Sequence, residues 1–163
     1  MTAQTIAFDG RFLQRGFWLY VWEVSVPGGR KLCYVGRTGD SSSANAQSPF
    51  NRMGQHLSFN EKHNVLRKRL VGIGVEPESC TFRLVSVGPL YPEASSMEGH
   101  RPLRDTVAAF EQALACSLSE SGYEVINPVH CRKPLNEMAF AMVLAEFAKQ
   151  LPLLILPTAA GAI

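Results

Sequence analysis

Arg52 and His56 stand four residues apart, so any helix that carries them presents both on one face. An arginine can hold a phosphate, and a histidine can pass a proton at neutral pH. Further along, Val107, Leu114 and Leu118 form a row on one helix face, and Glu111 falls in the same row beside Phe110. A buried carboxylate without a partner is costly, so Glu111 needs a cation, a hydrogen-bond network or an opening in the core. The other reading places it at the edge of the apolar stripe, reaching solvent. Tyr20 and Tyr34 add two phenols on adjacent antiparallel strands, spaced to share a face. Asn127 precedes Pro128 and is either a turn residue or a placed amide. Each feature alone also fits an ordinary core or surface role. Together they suit chemistry at an anionic centre.

These groups need elements to hold them. Phe17 to Val26, rich in Trp, Tyr and Val, reads as a central strand with both faces covered. Pro27-Gly28-Gly29 turns the chain, and Lys31 to Arg37 returns as the partner strand. A serine-rich loop from Gly39 to Gln47 leads to Ser48-Pro49, a helix start, and that helix runs to about Leu57. Ser58-x-x-Glu61 resembles a capping box for a second helix, with Val65, Leu66, Leu70 and Ile73 directed inward and Gly72 and Gly74 as stops. Cys80 to Gly88 reads as a third strand, and Tyr91 to Pro102 as a loop. Helices follow over Leu103 to Ser121 and Leu135 to Leu151, the latter with Phe140, Leu144, Phe147 and Leu151 on one side. The order β-β-α-α-β-α-α predicts an α+β fold with a small, mostly antiparallel three-stranded sheet flanked by helices.

The 163 residues, 46% hydrophobic and 18% charged, suit one globular domain over residues 1–163. The net charge of +2 does not announce a nucleic-acid binder. Its distribution is more telling: Arg52, Lys62, Arg67, Lys68 and Arg69 face only Glu61 between Asn51 and Leu70. A basic run is also what a solvated helix face carries. Cys33, Cys80, Cys116 and Cys131 lack Cys-x-x-Cys or zinc spacing, and buried thiols in a reducing, cytoplasmic compartment are expected. Met1 to Phe8 does not read as a signal peptide. The apolar stretch from Leu151 to Ile163 is too short to span a bilayer and contains Pro152 and Pro157, so packing on the domain or on a second subunit is expected, with no membrane partner.

In order and spacing, the chain resembles the GIY-YIG endonuclease family. Trp18-Leu19-Tyr20 stands at the first motif, with Trp and Leu in place of Gly and Ile. Tyr34-Val35-Gly36 followed by Arg37-Thr38 looks like the second. Arg52-x-x-x-His56, Glu111 and Asn127 match the later positions, so the resemblance covers residues 17–134. It implies a metal-dependent endonuclease acting on DNA, with one magnesium or manganese ion held by Glu111. Arg52 would pair with the scissile phosphate, Tyr20 would act as general base and Tyr34 would bond phosphate or water. His56 would assist Tyr20, and Asn127 would fix Glu111 or the local backbone. Lys31, Arg37, Lys62, Arg67 and Lys68 would steer the nucleic acid. The helix over 135–151 and the tail over 152–163 lie outside this core and could serve a homodimer or a protein partner. Three other readings are a binding module without cleavage, an interaction protein using the apolar tail, and an enzyme with Cys33 or Cys131 as nucleophile.

Overall fold

The computed structural model describes residues 1–40, 43–60 and 62–156. The fold is α+β. β1 (Phe17–Ser25) is the middle strand, with β2 (Lys31–Arg37) on one side and β3 (Thr81–Tyr91) on the other, both antiparallel to it. Among the described residues there are four α-helices: α1 (Pro49–Leu57), α2 (Val65–Gly72), α3 (Met97–Glu120) and α4 (Glu137–Ala148). The element order is the one expected from the sequence.

Strand alternation divides the core into two layers. Phe17, Leu19, Val21, Cys33, Val35 and Val85 pack with Val107, Phe110, Leu114 and Leu118 of α3 and with Phe140, Leu144 and Phe147 of α4. Tyr20, Trp22, Val24, Leu32 and Tyr34 pack on the other face with Leu66 and Leu70 of α2. β1 is therefore buried from both sides, as its composition implies. Leu151 and Leu154 join the first layer, while Leu153, Ile155 and Leu156 are exposed. The tail beyond residue 156 lies outside the described residues.

Several expectations need correction. The loop expected from Tyr91 to Pro102 is shorter, residues 92–96: β3 continues to Tyr91 and α3 begins at Met97, with Pro102 inside it. Ser96 caps that helix by accepting from the Gly99 amide at 3.3 Å, and Glu98 sits in the first turn. These terms favour a helix start upstream of the proline, whose missing N–H removes only one bond. Ser58 does not cap α2. It ends α1, and Asn64 stands at the α2 start without a side-chain capping bond. Glu61, the other half of the expected capping box, lies outside the described residues. Val65 and Ile73 do not point inward; they are 42% and 43% exposed. α2 has only eight residues, so two inward positions, Leu66 and Leu70, suffice to seat it. Of the four cysteines only Cys33 is buried, and Cys116 is exposed on the outer side of α3.

Candidate active site

β1 and β2 fix the site through their register. Tyr20 is opposite Gly36 and Trp22 is opposite Tyr34, so the two tyrosines are diagonal neighbours on the α1 side of the sheet. Ser48 caps α1 by accepting from the Asn51 amide at 3.3 Å, with Pro49 at the first turn. That start aims the Arg52–His56 face of α1 at the tyrosines. The Tyr20 hydroxyl lies 2.6 Å from His56 Nε2. The imidazole meets both phenol rings edge-on, with centroids 5.6 Å from Tyr20 and 5.1 Å from Tyr34.

Burial sets the protonation states. It pushes the Tyr20 phenol far above its ordinary value, and the neighbouring Arg52 cation only partly opposes this. Burial also pushes Tyr34 up to about 12, with Glu111 adding to the shift. His56 moves the other way, down to about 4, through burial first and Arg52 second. At neutral pH Tyr20 is therefore a phenol and His56 a neutral imidazole. The Tyr20 O–H donates and His56 Nε2 accepts.

Gly36 makes this packing possible. A Cβ at that position would lie 2.6 Å from both Cζ and Oη of Tyr20, and closer still to Cε2. Gly36→Ala is expected to destabilise the fold by about 1–3 kcal/mol, because the Tyr20 ring is enclosed and has little room to yield. Denaturant melts would read this directly. Gly54→Ala on the open side of α1, where a Cβ meets nothing within 4 Å, is the control and should be neutral or stabilising.

Glu111 reaches the end of β2 from α3. Its Oε2 accepts from Arg37 Nε at 2.8 Å, so the cation anticipated for this carboxylate is supplied by the chain itself. Burial raises the Glu111 pKa and Arg37 opposes the rise. Arg37 alternates to the α3 side, so Glu111 and the tyrosine–histidine group approach the strand end from opposite faces. The Glu111 charge still bears on Tyr34, and those of Arg52 and Asp40 bear on Glu111.

Asn127 spends both ends of its amide on one residue. Its Oδ1 accepts from the Val35 N–H at 2.9 Å and its Nδ2 donates to the Val35 carbonyl at 2.8 Å. Just before it, Cys33 pairs in parallel with Val125. Asn127 thus continues the outer edge of β2 with a side chain in place of backbone, holding the strand between Tyr34 and Gly36. Of the two roles expected for it, the backbone one is found.

Of the expected steering cations, Arg37 lies at the site and Lys31 does not. Lys31 pairs with Ser25 at the other end of β2, five residues from Gly36 and so roughly 17 Å away along the strand. Arg37 is held by Glu111, and Arg67 by Glu78. Lys62 and Lys68 are exposed.

No family model matches the chain, and no curated protein or solved structure is significantly similar to it. The chemistry rests on the residues themselves.

Three of these were missed in the sequence. Asp40 Oδ2 lies 3.1 Å from Arg52 Nη2, and Gln55 Oε1 accepts from Arg52 Nη1 at 3.1 Å. Arg52 Nε is buried and makes no hydrogen bond within the protein. His100, fully buried in the first turns of α3, packs at a tilt against Phe17, with ring centroids 5.0 Å apart, and places Nε2 3.0 Å from the Gly39 carbonyl. It thereby anchors the residue next to Asp40. An acid directly after Gly39 was the one available hint for Asp40. His100 was hidden in the segment read as a loop.

Among the described residues no three His, Cys, Asp or Glu side chains converge. A site of one carboxylate still suits magnesium, which keeps several waters and takes phosphate oxygens as ligands. Glu111 is half-buried with Arg37 on one of its two oxygens. Burial pushes the Cys33 thiol up to about 12, so it is not a thiolate at neutral pH. Among the described residues no helix is long and apolar enough to cross a membrane.

Proposed function

We propose that the chain is a metal-dependent endonuclease of the GIY-YIG type that hydrolyses phosphodiester bonds in DNA. The observation that carries this reading is the 2.6 Å contact between the Tyr20 hydroxyl and His56 Nε2, with Arg52 on the same helix face. A phenol hydrogen-bonded to a neutral imidazole beside a guanidinium can both move a proton and bind a phosphate.

Glu111 would hold one divalent ion, magnesium or manganese. When bound, the ion supplies positive charge to the scissile phosphate and the leaving oxygen. Arg52 exchanges Asp40 for the phosphate, using the Nη2 that Asp40 occupies. Tyr34 donates to a phosphate oxygen. Tyr20 accepts a proton from the attacking water as its own proton passes to His56 Nε2. The water oxygen forms the new bond to phosphorus while the bond to the sugar oxygen breaks; the leaving oxygen takes a proton from solvent, and His56 returns its proton to solvent through Tyr20. Tyr20 is 1% exposed, so the attacking water reaches it only after side chains on the α1 side of the sheet give way. Asn127 is a positioning residue in this scheme.

The test is incubation of the purified protein with supercoiled plasmid, in magnesium and in chelator. Nicked or linear product only with the metal is the expected result. Tyr20→Phe should retain DNA binding and lose roughly 10²–10⁴-fold in rate. Cleavage at the wild-type rate would remove Tyr20 from the base role and pass it to His56 or Tyr34.

One observation favours a second reading, a nucleic-acid-binding module without cleavage. Arg52 is paired with Asp40 and Glu111 with Arg37, so both charges assigned to the chemistry already have partners. That reading expects salt-sensitive DNA binding and no metal-dependent product in the same assay.

A further inference from the structure

Phe59, in the connection between α1 and α2, is 79% exposed. Single exposed apolar side chains are common and need no explanation. This ring differs because it is braced. The Arg67 guanidinium carbon lies 4.0 Å from the ring centroid, and Arg67 is itself held by Glu78. One ring face is thus covered by a fixed cation. The exposure of the residue leaves the ring open to a ligand.

Its chain neighbours Ser58, Asn60 and Lys62 are polar or basic. Ser58 and Asn60 line a shallow groove with Asn51, Gln55 and His63, and Phe50 gives that groove one apolar wall. Lys62 and Arg69 are exposed nearby in the sequence. A protein-docking hot spot would set an aromatic ring in an apolar pocket, whereas polar and cationic neighbours around an open ring suit a nucleobase and its phosphates. One lining residue, Gln55, also accepts from Arg52 Nη1 at 3.1 Å, which ties the groove to the arginine assigned to the phosphate.

We propose that Phe59, braced by Arg67, is a stacking platform for an unpaired nucleobase of the DNA strand whose phosphate Arg52 binds. The inference rests on the nuclease reading and adds a substrate class to it: DNA with an unpaired or splayed nucleotide near the cut. A base in a regular duplex has both faces covered by its neighbours and cannot stack on the ring. An unpaired base has a face to offer.

The test measures binding of a fluorescein-labelled oligothymidylate and of a labelled blunt duplex by anisotropy, in chelator, with plasmid cleavage in magnesium alongside. Phe59→Ala should weaken binding of the single strand by about ten-fold and leave the duplex nearly unchanged. Phe59→Trp should restore single-strand binding. The side chain is largely outside the core, so both variants should melt like the parent, which a thermal scan checks. Equal single-strand affinity for wild type and Phe59→Ala overturns the inference, and so does an equal loss for both DNA forms. If that happens while the wild type cuts plasmid, the nuclease reading survives. If Phe59-dependent binding is found without metal-dependent cutting, the platform stands and the nuclease reading falls. A wild type that neither binds nor cuts DNA overturns both.

Discussion

Glu111→Ala is expected to abolish magnesium-dependent cleavage, lowering the rate by roughly 10²–10³-fold or more. It removes the one carboxylate assigned to the ion. It also removes the partner of Arg37, whose side chain is only 16% exposed and whose Nη1 is buried without a protein partner. Stranding that cation should cost about 1–2 kcal/mol, less than the ~3–5 kcal/mol of a fully buried pair because solvent reaches the site. Glu111→Gln separates the two effects. Its amide oxygen can still accept from Arg37 Nε, so stability should be largely kept while activity is lost. Plasmid cleavage by the alanine variant at the wild-type rate in excess chelator would end the metal assignment. Equal melts for both variants would show that Arg37 needs no partner.

Acid should weaken the fold through His56 in particular. Its pKa lies near 4 in the folded protein, against 6.5 for the ordinary side chain. Between those values the unfolded chain takes up a proton that the folded chain refuses, so stability falls as pH drops through that window. The full effect is about 3 kcal/mol, complete near pH 4. The cause is burial first, then the Arg52 cation, and the imidazole has almost no contact with water to soften either. His56→Leu should flatten this part of the pH dependence. The comparison is a set of denaturant melts at pH 7 and pH 4.5 on both proteins, since other titrating groups contribute to each slope but cancel in the difference. Identical slopes would mean that His56 is not buried as a neutral ring. The same shift keeps the imidazole neutral above that range, so the catalytic rate should not fall through loss of the neutral form until the pH approaches 4.

Local patterns in the chain determined the elements and the faces. Alternation and turn residues place β1 and β2 in antiparallel register, which puts Tyr20 and Tyr34 on one side. The four-residue step sets Arg52 and His56 together on α1, and the apolar row of α3 marks Glu111 as the carboxylate needing a partner. These follow from chain geometry over a few residues, so the sequence alone carries them. Where opposing local terms compete, as at Pro102 after the Ser96 cap, the local pattern alone does not decide between loop and helix.

The partners were decided only by the tertiary structure. Arg37 and Glu111 are 74 residues apart in the chain, Val35 and Asn127 are 92 apart, and Gly39 and His100 are 61 apart. No periodicity connects such positions. Even the Asp40–Arg52 pair, 12 residues apart, depends on how the loop between them returns. The same holds for Gly36, whose missing side chain is filled by the Tyr20 ring. The sequence named the groups that could do chemistry. Packing the sheet between α1 on one side and α3 on the other decided which of them touch, which are already paired, and which protons they hold.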